Sequence, residues 1–294
     1  MALILGTAQF GLAYGVANQS GQIAHQEAQA ILDVAAASGV MALDTAVAYG
    51  QAEQILGQLN THQLPFISKL PVQLPAGESN CERWVVEQVE ASLKRLNRSS
   101  LAALLFHRPE QLLSTAGPSL VRALNELRNA GVVHKLGLSV YSYAQVQAVL
   151  PFFRPDVVQL PFNVLDQRAA QLGWFKQMHS EGMEIHVRSA FLQGLLLMPP
   201  SEVPAYFAPW QNVLSQWHEL CAQSAIAAQQ ICLQHVKQQP EVSAIVVGVD
   251  SSLQLQQIAQ AHQAVASLPS LHNLSMLDEG LINPSNWKIQ ERTS

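Results

Sequence analysis

Eight short apolar runs recur along this 294-residue chain, and amphipathic stretches separate them. The runs are "ALILG" (2–6), "MALDTA" (41–46), "FISKL" (66–70), "LAALLFH" (101–107), "KLGLSV" (135–140), "VVQLPF" (157–162), "EIHVRSA" (184–190) and "SAIVVGV" (243–249). Each has the length of a strand buried on both faces, as the strands of a parallel sheet are. Between the runs the period becomes helical. Val85, Val89, Leu93 and Leu96 share one face of residues 82–97, and Leu120, Val121, Leu124 and Leu127 share one face of residues 118–129. Gly39 and Gly131 follow such stretches where a left-handed C-cap would sit. The alternation predicts an α/β fold. With no break in composition between halves, it favours a (β/α)8 TIM barrel, one domain over residues 1–294, above a doubly wound sheet. Such a barrel does its chemistry at the C-terminal face of its strands.

The segment between the last two runs, residues 191–242, exceeds one crossover helix. It holds a long loop, 191–210, and helical stretches at about 211–222 and 226–238. A loop leaving the C-terminal end of a strand is placed to cover an active site; the plainer alternative is a tolerated surface insertion.

Composition narrows the function. Apolar residues make up 49% and charged residues 13%, against about 25% charged in an ordinary domain, so a large core can be buried. The net charge is -5, and no basic run exceeds Lys94-Arg95, which leaves no footprint for nucleic acid or an anionic membrane. A small-molecule partner is the expectation, with a monomer or weak homo-oligomer. Cys81, Cys221 and Cys232 are an odd number at scattered spacings, suiting reduced thiols in a cytoplasmic protein. The N-terminus has no basic n-region, and no stretch is apolar for the ~20 residues a membrane span needs. G-x-S-x-G and G-x-x-x-x-G-K motifs are absent. "HELC" at 218–221 lacks a second His at zinc-helix spacing, so no metal is expected. Trp84, Trp174 and Trp217 lie in helical stretches and read as packing.

Four polar residues fall at strand ends: Asp44 in the second run, Tyr49 on the loop after it, Lys69 near the end of the third and His107 ending the fourth. A lysine in an apolar strand is costly to bury without a carboxylate, and Asp44 on the adjacent strand is the natural partner. A free tyrosine, with a pKa of about 10, is a poor acid at neutral pH, but a nearby ammonium favours the phenolate. Tyr49 is therefore a candidate proton donor and His107 a candidate for orienting a substrate oxygen. Singly, each has a structural explanation; their order on three consecutive strands is what points to catalysis.

With "LGTAQFG" (5–11), "LDTAVAYG" (43–50), "SKL" (68–70), "LLFHRP" (104–109), "GLSVYS" (137–142), "VQLPFN" (158–163) and "IVVGVDSSLQL" (245–255), the chain resembles the aldo-keto reductases over nearly its whole length. The resemblance implies hydride transfer between a nicotinamide cofactor, NADP(H) or NAD(H), and a small carbonyl or alcohol substrate. Tyr49 would be the acid, with Lys69 and Asp44 lowering its pKa, and His107 would orient the carbonyl. No Rossmann fingerprint is needed, and none is present. The resemblance assigns Ser139 and Gln159 to the carboxamide, with Val140 where relatives often carry Asn. Gly6 and Thr7 fall beneath the ribose, and Ser189, Phe191 and Gly194 at the pyrophosphate. Gly248 and Ser251 would open a phosphate-binding helix N-terminus, and Gln254 and Gln257 would touch the adenosine. Arg188 stands where relatives stack a tyrosine on the nicotinamide; stacking, anion binding and pairing with an acid all remain open for it. Asp250 replaces the basic residue of NADPH-dependent relatives and would favour the 2′-hydroxyl of NAD, or cap a helix. Gln9, Phe10, Trp210 and Arg188 are candidates to line a substrate pocket suited to a sugar or another polar carbonyl. The tail "LINPSNWKIQERTS" is short, which implies an open pocket. Two further readings stay in play: an NAD-dependent sugar or alcohol dehydrogenase working oxidatively, and a nicotinamide-binding redox sensor with little turnover.

Overall fold

The computed structural model describes residues 1–74 and 80–289. Eight parallel strands close into a barrel in sequence order: β1 (Ala2–Gly6), β2 (Ala42–Asp44), β3 (Phe66–Lys69), β4 (Leu101–Phe106), β5 (Val133–Ser139), β6 (Val157–Pro161), β7 (Glu184–Arg188) and β8 (Ala244–Gly248). β1 closes the ring by pairing with β2 on one side and β8 on the other, placing Gly6 beside both Asp44 and Gly248. The strands coincide with the eight apolar runs to within two or three residues. β2 stops at Asp44, because Thr45 onward leaves the sheet for the loop that carries Tyr49. β5 starts earlier than its apolar run, at Val133, its first turn hidden by the exposed polar pair His134 and Lys135.

Side chains alternate between the inside of the barrel and the helix-facing outside. Ile4, Ala42, Ile67, Ala103, Leu105, Val157, Ala244 and Val246 form a separate inner cluster, while the neighbouring Leu3, Leu5, Leu43, Phe66, Leu104 and Val158 belong to the larger layer between sheet and helices. One step of two further along the inner face brings the chain to Gly6, Asp44, Lys69, Ser139, Gln159, Arg188 and Gly248. The inner ring is thus mainly apolar below, with His186 under Arg188 as a polar exception, and polar or glycine at the top. That change of character follows from the strand period alone.

Helices Cys81–Leu96, Gly117–Asn129, Gln211–Gln223 and Ala228–Lys237 occupy the expected stretches. Gly39 and Gly131 take φ of +74° and +71°, the left-handed conformation that glycine adopts without a Cβ penalty. The 191–210 loop forms three 3-10 segments, Leu192–Leu197, Pro200–Glu202 and Ala205–Trp210. Trp217 is fully buried, its indole N–H donating to the Leu196 carbonyl, and His218 lies against the Met198 carbonyl. Of the C-terminal tail, residues 290–294 lie outside those described. Its Trp287 packs edge-on against Phe207, at 4.9 Å between ring centroids. Among the described residues no helix is long and apolar enough to cross a membrane.

Candidate active site

Lys69 is the most deeply placed charge in the barrel, 1% exposed. Its Nζ donates to Asp44 Oδ1 at 2.5 Å, to the Thr45 carbonyl at 3.1 Å and to the Tyr49 hydroxyl at 3.4 Å. Burial opposes the charge on Lys69, but Asp44 and Tyr49 together outweigh it, and its pKa is raised above the ordinary lysine value. The lysine stays an ammonium at neutral pH. Asp44 is held from its other oxygen by Gln159 Nε2 at 2.8 Å, and Thr7 donates from both N and Oγ1 to the Asp44 carbonyl at 2.9 Å. A buried pair survives only when its remaining lone pairs and protons are satisfied, and here they are.

Tyr49 sits half-buried above this pair, with the Lys69 ammonium 5.1 Å from its ring centre. His107 faces it edge-on at 6.1 Å. Burial first, then the charges of Lys69 and Arg188, push the His107 pKa down to about 4, so the imidazole is neutral at pH 7. Its Nδ1 is buried without a protein partner.

Two glycines of the motifs have a steric reason. A Cβ on Gly11 would lie 1.9 Å from the Tyr49 carbonyl, and one on Gly50, whose φ is +57°, would lie 2.5 Å from the Gly11 carbonyl. The loop after β1 and the Tyr49 loop meet backbone to backbone, a contact only glycine permits. Behind Tyr49, the buried Glu53 accepts from Ser68, Ser92 and Arg95, which ties the helix Ala52–Gln58 to the strand carrying Lys69.

A cleft enclosing about 910 Å³, open to solvent, runs over the barrel mouth. Tyr49, Asp44 and Gln159 stand on its wall, with Gly6, Thr7, Gln9, Arg188, Ser189, Phe191, Gly194, Gly248, Asp250 and Gln254. Ser139, Ser251 and Gln257 lie off that wall; the Lys69 ammonium lies against the Tyr49 hydroxyl, and His107 meets the edge of the Tyr49 ring. Two expected pocket residues are elsewhere. Phe10 is fully buried on the short helix Ala8–Gly11, facing the core. Trp210 turns to the C-terminal segment, its indole N–H donating to Asp278. The long loop lines the cleft only as far as Leu197; its remainder packs at the side of the barrel.

Sequence reading missed Tyr14, Asn18, Asn163, Gln193 and Tyr141. Tyr14, Ala17, Asn18 and Gln193 line the cleft from two loops that touch across it, through Ala17 N to the Gln193 carbonyl (3.4 Å) and Gln193 to the Tyr14 hydroxyl (3.2 Å). Ser189, Leu192 and Gln193 have φ of 62°, 47° and 54°, costly for residues with a Cβ, and Asn163 anchors the segment by donating to the Ser189 carbonyl.

The helix Ser252–Gln263 does not present a vacant N-terminus. The Ser251 hydroxyl accepts from Gln254 N, the Glu27 carboxylate accepts from Ser252 N at 2.5 Å, and Gln254 Oε1 accepts from Asp250 N at 2.7 Å. Three N–H groups at the phosphate site expected there, those of Asp250, Ser252 and Gln254, already have acceptors in the protein. Asp250, whose pKa burial raises, accepts from Asn18 at 2.9 Å. It therefore bridges two loops from the wall of the cleft.

A Cβ on Gly248 would clash with the Gln9 amide at 2.7 Å, so glycine at the end of β8 is what lets the Gln9 side chain lie across it. Comparison with known proteins bears on the fold and the family. An aldo-keto reductase from Bacillus halodurans, solved in a holo form, superposes with a TM-score of 0.75 at 20% identity, covering 93% of this chain and 92% of that one. A probable voltage-gated potassium channel subunit beta of rice is 26% identical over 202 residues, 63% of this chain and 61% of that protein. The aldo-keto reductase YhdN of Bacillus subtilis is 28% identical over 140 residues, 44% of this chain and 41% of that one. The sequence model of the aldo/keto reductase family matches residues 2–271, and the chain belongs to that family.

Proposed function

We propose that this protein reduces an aldehyde or ketone to an alcohol, with Tyr49 as proton donor. The observation that carries the reading is the fully buried Lys69 ammonium, paired with Asp44, pointing at the hydroxyl of a tyrosine on the cleft wall. A nicotinamide cofactor, when bound, supplies the hydride. Gly6, Thr7, Gln159, Ser189, Phe191, Gly194, Gly248, Asp250 and Gln254 would hold it.

Negative charge grows on the carbonyl oxygen as its carbon is reduced, so a donor aimed at that oxygen stabilises the transition state more than the ground state. Tyr49 gives its proton to the oxygen, and the Lys69 ammonium stabilises the phenolate left behind. Neutral His107 hydrogen-bonds the same oxygen and fixes its direction without competing as an acid. The buried Lys69–Asp44 pair cannot reorganise, so the field is in place before the substrate arrives.

At the far end of the cleft, Asp250 and the Glu27-capped helix start favour a 2′-hydroxyl over a 2′-phosphate, and thus NADH over NADPH. Binding titrations with both reduced cofactors, followed by steady-state rates with all four cofactor forms on aldehydes and alcohols, test the reading and its direction. The likeness to channel beta subunits supports a second reading, a nicotinamide-binding regulatory barrel. Tight binding with negligible turnover on every carbonyl tried would favour that one.

A further inference from the structure

Arg188 ends β7 on the inner face of the barrel and lines the cleft. Its guanidinium lies 4.4 Å over the ring centre of Tyr141, and Nη2 donates to the Val140 carbonyl at 3.3 Å. Both contacts are on the loop after β5. The side chain therefore reaches two strands along the barrel, toward the β4 end that carries His107 and away from Gly248 and Asp250 on the β8 side.

Among the described residues no carboxylate lies within ion-pairing distance of it, and the Asp44 carboxylate is already taken by Lys69 and Gln159. A guanidinium has five N–H donors, and the one protein hydrogen bond found for Arg188 leaves most of them without a protein acceptor. Stacking on Tyr141 holds the plane in place, so little side-chain entropy is lost when a planar or tetrahedral oxyanion meets it.

We infer that Arg188 recognises an anionic group on the substrate, a carboxylate or a phosphate displaced from the carbonyl that Tyr49 protonates. This inference rests on the carbonyl-reductase reading above and narrows its substrate class. The charge count agrees. Lys69 and Asp44 cancel, which leaves Arg188 as an unpaired cation on the wall that carries the phenol. A neutral substrate would leave it unpaired in a half-buried site, whereas an oxyanion would complete it.

The test uses substrates paired with and without the anion: 4-carboxybenzaldehyde against the near-isosteric 4-carbamoylbenzaldehyde, and glyceraldehyde 3-phosphate against glyceraldehyde. Wild type should favour the charged member of at least one pair about tenfold or more in kcat/KM, chiefly through KM, as expected for a charge-assisted bond. Arg188→Gln should bring that ratio to about one, and Arg188→Lys should keep part of it; the pair with the larger Arg188-dependent ratio names the anion. Neutral aldehydes turned over as well as charged ones by wild type would overturn the inference and leave carbonyl reduction standing. An equal loss on charged and neutral substrates in Arg188→Gln would also overturn it, assigning Arg188 to the cofactor instead. No turnover of any of the four with either reduced cofactor would sink the underlying reading.

Discussion

Lys69 and Asp44 show how a residue can be both a liability and the point of the fold. The pair is almost wholly buried, and removing one partner strands the other. Lys69→Met should lower stability by about 3–5 kcal/mol in denaturant titrations, the usual cost of breaking a buried pair. Adding Asp44→Asn to it should recover much of that stability and none of the carbonyl reduction. Recovery of activity in the double variant would mean that the ammonium acts only as a structural partner. At this scale the sequence was informative wherever a strand set the direction of a side chain. Asp44 and Lys69 are legible because each lies two residues past an apolar inner-face position. Phe10 and Trp210 were not, since both lie outside the strands, where no period tells which way a ring turns. Tyr14, Asn18 and Tyr141 went unseen for the same reason: loops folding over the mouth bring Tyr14 and Asn18 to the cleft and Tyr141 against Arg188.

Among elements, the decisive contacts are between loops. The turn after β1 meets the Tyr49 loop so closely that Gly11→Ala would drive a methyl carbon into the Tyr49 carbonyl, 1.9 Å away. We expect that variant to lose at least tenfold in kcat/KM, because a displacement of about 1 Å at a reacting group can cost a hundredfold; unchanged kinetics would show that the loops can separate freely. On the proposed reading, the start of the helix Ser252–Gln263 sets the choice between cofactors. Asp250→Arg should raise the ratio of NADPH to NADH affinity about tenfold, read by fluorescence titration, through a new charge-assisted bond to the 2′-phosphate. No shift would remove Asp250 from the discrimination and leave the fold untouched. The sequence marked where this helix begins but not what fills its end, because Glu27 comes from more than two hundred residues away in the chain and no local pattern signals it.

For the whole molecule, the closed barrel was the most legible feature: eight buried runs separated by helical periods admit few other arrangements. What the barrel buries also sets its acid sensitivity. His235 stacks on Phe162 at 4.8 Å with Nε2 buried and unpartnered, and burial pushes its pKa down to about 4, as burial first does for His107. Between about 6.5, the unfolded value, and 4 the unfolded chain binds protons that the native one refuses, so stability is full above that window and falls as pH drops through it. His235→Leu should flatten the slope of unfolding free energy against pH in that range; an unchanged slope would place the sensitivity elsewhere. The claim on which the account turns is that this fold exists to aim one phenol at a carbonyl. The direct measurement is aldehyde reduction by wild type and Tyr49→Phe, alongside NADH and NADPH titrations of both. The account predicts that Tyr49→Phe binds the cofactor as wild type does and loses about 10²–10⁴-fold in kcat, the range for a missing general acid; a variant that kept most of the wild-type rate would contradict it.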